Sequence, residues 1–254
     1  MLTPLADGVS VGLGAVAGLG LVAGGYAYAA MWPGSQIFGK ALIAPRNPDG
    51  EAGELALTFD DGPNPAWTPQ LLDVLARYGV KATFFMVGKY GFQQPGLVRR
   101  IVADGHLVGN HSWSHPNLAV TAALKVDKEL LRTRDTLEQI SGMPIRYFRP
   151  PFGGRRPHVL RAARQLGMTP VLWNAITTDW SEPRADRIAQ RLIAKIDRNA
   201  RRGWATNLVL HDGGHLEPEA NRGPSVCAAG QILARYATTH RFVRLDAWGE
   251  LGKN

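Results

Sequence analysis

The stretch LALTFDDGPNPAWTPQLLDVLARYGVKATFFMV, residues 55–87, decides the fold. Leu55–Phe59 is an apolar run that reads as a strand, Thr68-Pro69 opens an amphipathic helix that stops at Gly79, and Ala82–Val87 is a second apolar strand. Two strands joined by a helical crossover call for parallel pairing with the helix laid against the sheet. The pattern then repeats. A helix is expected over Pro95–Asp104, a strand at Leu107–Gly109, a long helix over Thr121–Ile140 and a strand at Arg146–Phe148. After these come a helix at Pro157–Gln165, a strand at Pro170–Asn174, a helix at Ala185–Arg201, a strand at Asn207–Leu210, a helix at Val226–Thr239 and a strand at Phe242–Leu245. That makes seven strands separated by helices, an α/β domain folded as a distorted (β/α) barrel of about seven parallel strands.

Upstream of this domain the composition changes. No charged residue occurs from Gly8 to Gly39, and Val9–Trp32 is almost wholly apolar or glycine, long enough to cross about 30 Å of hydrocarbon. Tyr26, Tyr28 and Trp32 suit an interfacial belt, and the only charge before the span, Asp7, is the wrong sign for a signal peptide. The expected organisation is a single-pass membrane anchor over residues 1–44, a Pro/Gly-rich linker at 45–53 and a catalytic domain over 54–254. Lys40 and Arg46 follow the span with no cation before it, so the positive-inside rule alone would hold the domain in the cytoplasm. The placement adopted is nevertheless outside the cytoplasm.

The 254 residues carry 29 Lys and Arg against 21 Asp and Glu, a net charge of +8 that would draw polyanions to the surface. The arginine pairs at 99–100, 155–156 and 201–202 are scattered and no nucleic-acid-binding motif accompanies them, so nucleic acid is not an expected partner. The single cysteine, Cys227, excludes an internal disulfide and falls on a helical pattern as a core residue.

The chemistry-bearing residues each follow a different strand, where a barrel gathers its working groups. Asp60 and Asp61 end the first strand, and the Gly62 turn can bring both carboxylates into one cavity. His111 and His115, four residues apart, share a face if their segment is helical, a spacing used by zinc sites. Asp61 with these two imidazoles leaves a coordination position open, as a catalytic metal requires, and frees Asp60 as general base. Arg149 is placed to hold Asp60 through a charge-assisted hydrogen bond, and Phe152 bears the first free backbone amide after Pro150 and Pro151, a candidate oxyanion donor. His211, after an apolar run, can protonate a leaving amine.

With these residues in order, the chain resembles the polysaccharide deacetylase family, also called the NodB-homology domain or carbohydrate esterase family 4. Five spaced motifs carry the resemblance: TFDDG at 58–62, HSWSH at 111–115, RPPFG at 149–153, the Asp179-Trp180 pair, and LVLH at 208–211. The resemblance implies one divalent ion of zinc type, Asp60 as base, His211 as acid, and hydrolysis of N-acetyl groups on an amino-sugar polymer such as peptidoglycan. It also implies a substrate pocket at Asp179, with an apolar slot for the acetyl methyl formed by Trp180 and Leu208. The fourth motif usually runs Asp-x-x-Asp-Trp, with its first Asp supporting the acid histidine, and here that position is Ile176. Asn174 and Thr178 are the residues expected to supply a hydrogen bond instead, without the missing charge. Three other readings share these residues: an O-acetyl esterase, a two-metal phosphoesterase, and a polysaccharide-binding module that has lost turnover.

Overall fold

The computed structural model describes residues 22–46 and 53–249. Its sheet is wholly parallel and centred on β1 (Glu54–Asp60), six of whose seven residues are buried, as expected for a strand covered on both faces. In order come α1, described over residues 22–31, then β1, α2 (Thr68–Arg77), β2 (Thr83–Met86), α3 (Gly88–Gln93), α4 (Pro95–Ala103), β3 (Leu107–Asn110), α5 (Ala123–Ser141) and β4 (Tyr147–Phe148). They are followed by α6 (Pro157–Gln165), β5 (Thr169–Pro170), β6 (Ala175–Ile176), α7 (Ala185–Arg201), β7 (Thr206–His211), α8 (Gly223–Tyr236) and β8 (Arg241–Val243). The strands run β5-β4-β3-β2-β1-β7-β6, with β8 paired to the start of β1. No β5–β6 pairing closes the ring among the described residues, so the barrel is open along that seam.

Parity along β1 sorts the interior. Leu55, Leu57 and Phe59 face the helices and pack with Leu71, Leu75, Ile232 and Leu233, while Ala56 joins Phe85, Tyr147, Val171 and Val243 on the opposite face. Thr58 and Asp60 share that inner face with Ala56. In the β1–β7 register Asp60 lies opposite His211, Thr58 opposite Val209 and Ala56 opposite Asn207. The strand ends therefore deliver a carboxylate and an imidazole side by side to one mouth.

Two expectations change. The strand expected at Pro170–Asn174 is only Thr169–Pro170 (β5), a further two-residue strand, β6, follows it, so that seven parallel strands form the barrel path with β8 beside it, and the short helix α3 follows β2 directly. Cys227 is exposed on α8 rather than in the core. The expected membrane span lies mostly at residues 9–21, outside the described residues, and among the described residues no helix is long and apolar enough to cross a membrane.

Residues 30–46, assigned from sequence to the anchor and the start of the linker, pack onto the barrel. The fully buried Arg155 guanidinium donates to the carbonyls of Trp32 (2.6 Å), Ser35 (2.8 Å) and Gly153 (3.0 Å). Further along, Leu42 bridges to Val171 beside β5, and the Ala205 amide before β7 donates to Pro45, so this strap crosses the open seam.

Candidate active site

Beneath the mouth lies a buried polar chain. Arg149, with no exposed surface, donates from Nη1 to Asp60 Oδ1 (2.7 Å) and to Thr58 Oγ1 (2.7 Å), and from Nη2 to Asn207 Oδ1 (3.2 Å), with Phe85 stacked 4.1 Å from the guanidinium. Burial works against the guanidinium charge and Asp60 sustains it. One Asp60 oxygen is thus occupied, and the other stands 4.0 Å from His111 Nε2, toward the cavity.

Asp61, His111 and His115 meet, but through turns rather than a helix. Asp61, Ser112 and His115 have φ of 71°, 63° and 58°, left-handed values uncommon for residues with a Cβ. The Ser112 amide is held by Asn110 Oδ1 (2.8 Å) and the His115 amide by Ser112 Oγ (3.1 Å), which folds the HSWSH segment back on itself. Strained backbone of this kind, on the order of 1–3 kcal/mol per residue, persists where packing imposes it and clusters at functional sites.

The three donors fit a cation. His111 Nδ1 lies 2.7 Å from the Arg149 carbonyl, which can accept only if that nitrogen carries the proton, so the Nε2 lone pair faces Asp61 Oδ1 at 3.4 Å. His115 Nε2 stands 3.0 Å from the same oxygen, and that buried oxygen accepts no hydrogen bond. Burial is the main force lowering the His115 pKa, favouring the neutral form that a metal needs. For Asp61 burial would raise the pKa, but the imidazoles of His111, His115 and His215 outweigh it and hold the carboxyl well below its usual range.

His215, which sequence reasoning missed, belongs to this cluster: ligand atoms of Asp61, His115 and His215 lie within 4.8 Å of one another. Its ring stacks on His115 at 4.4 Å, and its backbone is fixed by the Tyr90 hydroxyl on its carbonyl (2.8 Å). Gly213, just before it, sits so close to Asp61 that a Cβ would fall 2.2 Å from the Asp61 carbonyl oxygen. Its one sequence signal was a histidine in a Gly-Gly turn four residues past His211.

On the far side of the mouth His211 is gripped by Asp179. This corrects two expectations. Asp179, read as substrate-binding, is buried, off the cavity wall, and bonded to His211 and to Ser225 Oγ (2.7 Å). The position of Ile176 does not strip His211 of a carboxylate, because Asp179 supplies one, while Asn174 is spent on Asn207 and Ala205. Burial alone would lower the His211 pKa, but the charge and hydrogen bond of Asp179, with smaller help from Asp61 and Asp60, raise it to about 9.

The cavity, about 520 Å³, is walled by Pro150, Phe152, Trp173, Ile176, Trp180 and Leu216 around Asp60, Asp61, His111, His115, His211 and His215. Leu208 is not on this wall. Strand parity turns it to the helix-facing core, and Val209, paired with Ile176, takes the His211 face. Phe152, at φ 57°, puts its ring edge against His115 at 4.7 Å. The Gly153 and Gly154 amides close onto Pro150 and Pro151, whereas among the described residues the Phe152 amide takes no backbone acceptor. Trp180 is half exposed and stands edge-on to His211 at 5.0 Å.

The family model described as polysaccharide deacetylase matches residues 47–171. Among curated relatives, a peptidoglycan-N-acetylglucosamine deacetylase of Bacillus cereus is 34% identical over 204 residues, covering 79% of this chain and 70% of its own. A chitooligosaccharide deacetylase of Sinorhizobium fredii is 37% identical over 195 residues, 74% of this chain and 87% of that one. Among solved structures, the Bc1960 peptidoglycan N-acetylglucosamine deacetylase superposes with a TM-score of 0.70 at 33% identity, covering 82% of this chain and 91% of that chain.

Proposed function

The chain belongs to the polysaccharide deacetylase family, and from that premise we propose that it hydrolyses N-acetyl groups on an amino-sugar polymer of the cell envelope, releasing acetate and a free amine. The observation that carries this reading is the pairing of Asp60 and His211, register partners on β1 and β7, across a cavity that also holds Asp61, His111 and His115.

Asp61, His111 and His115 would hold one divalent ion, which we take to be zinc, and Lewis acidity toward the acetyl carbonyl and the attacking water is the chemistry it supplies when bound. Asp60, anchored through one oxygen by Arg149, takes the proton of that water with the other. The Phe152 amide donates to the oxyanion that forms as water adds to the carbonyl carbon. His211, its Nδ1 held by Asp179, donates the Nε2 proton to the amine as the carbon–nitrogen bond breaks. Trp173, Ile176 and Trp180 form an apolar wall against the acetyl methyl. The same reading takes the part of the apolar segment that precedes the strap, from Val9 up to residue 29, as a membrane anchor, with the catalytic domain outside the cytoplasm.

The test is acetate release from N-acetylglucosamine oligomers and from peptidoglycan, by chelator-treated protein before and after zinc is restored. Zinc-dependent acetate is expected. Polymer binding without acetate from any substrate would overturn the enzymatic reading in favour of a binding module.

A further inference from the structure

Beside the catalytic cavity lies a second one, about 570 Å³, and Ile176 and Trp180 line both. Its other walls are Thr177, Thr178 and a stripe of α7 bearing Arg191, Lys195 and Arg198. Spacings of four and three place these cations on one face of the helix, spread over roughly 10 Å at 1.5 Å per residue. No carboxylate lines the cavity. The Lys195 ammonium is pinned to the Ile176 carbonyl at 2.6 Å, at the partition between the two spaces. Among the described residues Arg191, half exposed, has Glu182 as its ion-pair partner at 3.5 Å, and Arg198, exposed, has none. Like charges gathered around one concavity repel, and a bound anion would relieve them. Lys195 registers this: burial and then Arg198 lower its pKa.

Ile176 gives the arrangement its direction. Its apolar side chain adds no carboxylate to the partition, and Trp180 offers a half-exposed ring on which a sugar can stack.

We propose that the second cavity is a subsite for a carboxylate carried by a sugar neighbouring the one deacetylated, making the enzyme selective for acidic amino-sugar polymers over neutral ones. This rests on the deacetylase reading of the adjacent site. Guanidinium groups bind carboxylates through paired hydrogen bonds, and exposed cations act mainly on capture of the substrate rather than on the chemical step.

The experiment compares soluble peptidoglycan strands bearing free carboxylates, the same strands with those carboxylates amidated, and neutral N-acetylglucosamine oligomers, at low and high salt. Arg198→Glu, at a site with no partner to disturb, and the Arg191→Gln/Arg198→Gln pair are measured beside the native protein. Either variant is expected to raise KM for the acidic strands about tenfold at low salt. Amidation should do the same to the native protein, with kcat and the neutral-oligomer KM unchanged. Equal KM changes on acidic and neutral substrates, or none on either, overturn the subsite. Co-sedimentation with acidic and amidated insoluble glycan is run in parallel. Absence of acetate from every substrate would count against the deacetylase reading, and equal sedimentation with both glycans would count against the subsite alone.

Discussion

Asp179 holds His211 at two points: its Oδ1 stands 2.9 Å from the imidazole Nδ1, and its Oδ2 accepts the backbone amide of the same residue at 2.8 Å. The side chain is therefore oriented by the same carboxylate that stabilises its charge.

The first prediction concerns pH. Because the His211 pKa is raised to about 9, its acid form persists through neutral pH and is lost as pH rises through that value, so activity should fall on the alkaline side. A cation among Asp61, His111 and His115 opposes the smaller contributions of Asp60 and Asp61, which moves this limb somewhat below 9 in the loaded enzyme. Asp179→Asn should shift the alkaline limb of kcat/KM further toward acid by about one to two pH units and lower kcat by roughly 10²–10³-fold. An unchanged limb would show that another group sets it.

Metal and base should separate by mutation. Asp60→Asn is expected to abolish turnover while zinc remains bound at one equivalent. It should also destabilise the fold by about 3–5 kcal/mol, because Arg149 is left as an uncompensated buried cation. His111→Ala should lose the metal itself. Elemental analysis of both variants decides the point, and metal loss in Asp60→Asn with retention in His111→Ala would reverse the roles.

His215 supports the same cluster from one side, with its Nδ1 3.7 Å from Asp61 Oδ2 and its ring on His115. His215→Ala should weaken zinc binding by about 10–100-fold, the usual effect of removing a group that orients ligands, without altering the circular dichroism. Competition with a chromogenic chelator measures it, and an unchanged affinity would reduce His215 to a wall residue.

Asp212 is a buried acid of another kind. Burial above all pushes its carboxyl up to about 7 although Thr68 donates to it, so its ionisation opposes folding. The unfolded chain ionises this group near 3.8, so stability is lost as pH rises from there to about 7 and stays lost above it. Asp212→Asn should raise the Tm of metal-free protein at pH 8, by about 2–4 °C per kcal/mol recovered, and the gap should close toward pH 5. A gap that widens on acidification would contradict this sign.

Much of the barrel was legible because β1, β2 and β7 are buried on both faces and therefore appear as unbroken apolar runs. The two-residue β6 and the six-residue α3 carry too little periodicity to be seen. The residues proposed to hold a metal are legible as types and spacing, but not their route to one another. His115 arrives through left-handed backbone that tertiary packing imposes, and the i,i+4 spacing suggested a helix that is not there. Asp179 reads in sequence as a substrate contact because linear distance does not tell which of two neighbouring motif positions turns toward His211. Leu208 was a parity error: counting two residues back from His211 along the strand gives Val209.

Arg155 bears on where the gene can be cut. A fragment begun at residue 54, the boundary suggested by composition, would strip the Arg155 guanidinium of the Trp32 and Ser35 carbonyls and would uncover the seam beside Val171. A fragment begun before residue 30 is expected to be the more stable of the two, which thermal unfolding of both would check. The end of α1 is thus tied directly to the loop carrying Phe152, since the Arg155 amide and guanidinium both donate to the Ala30 carbonyl, so a change in the strap is felt at the mouth of the cavity.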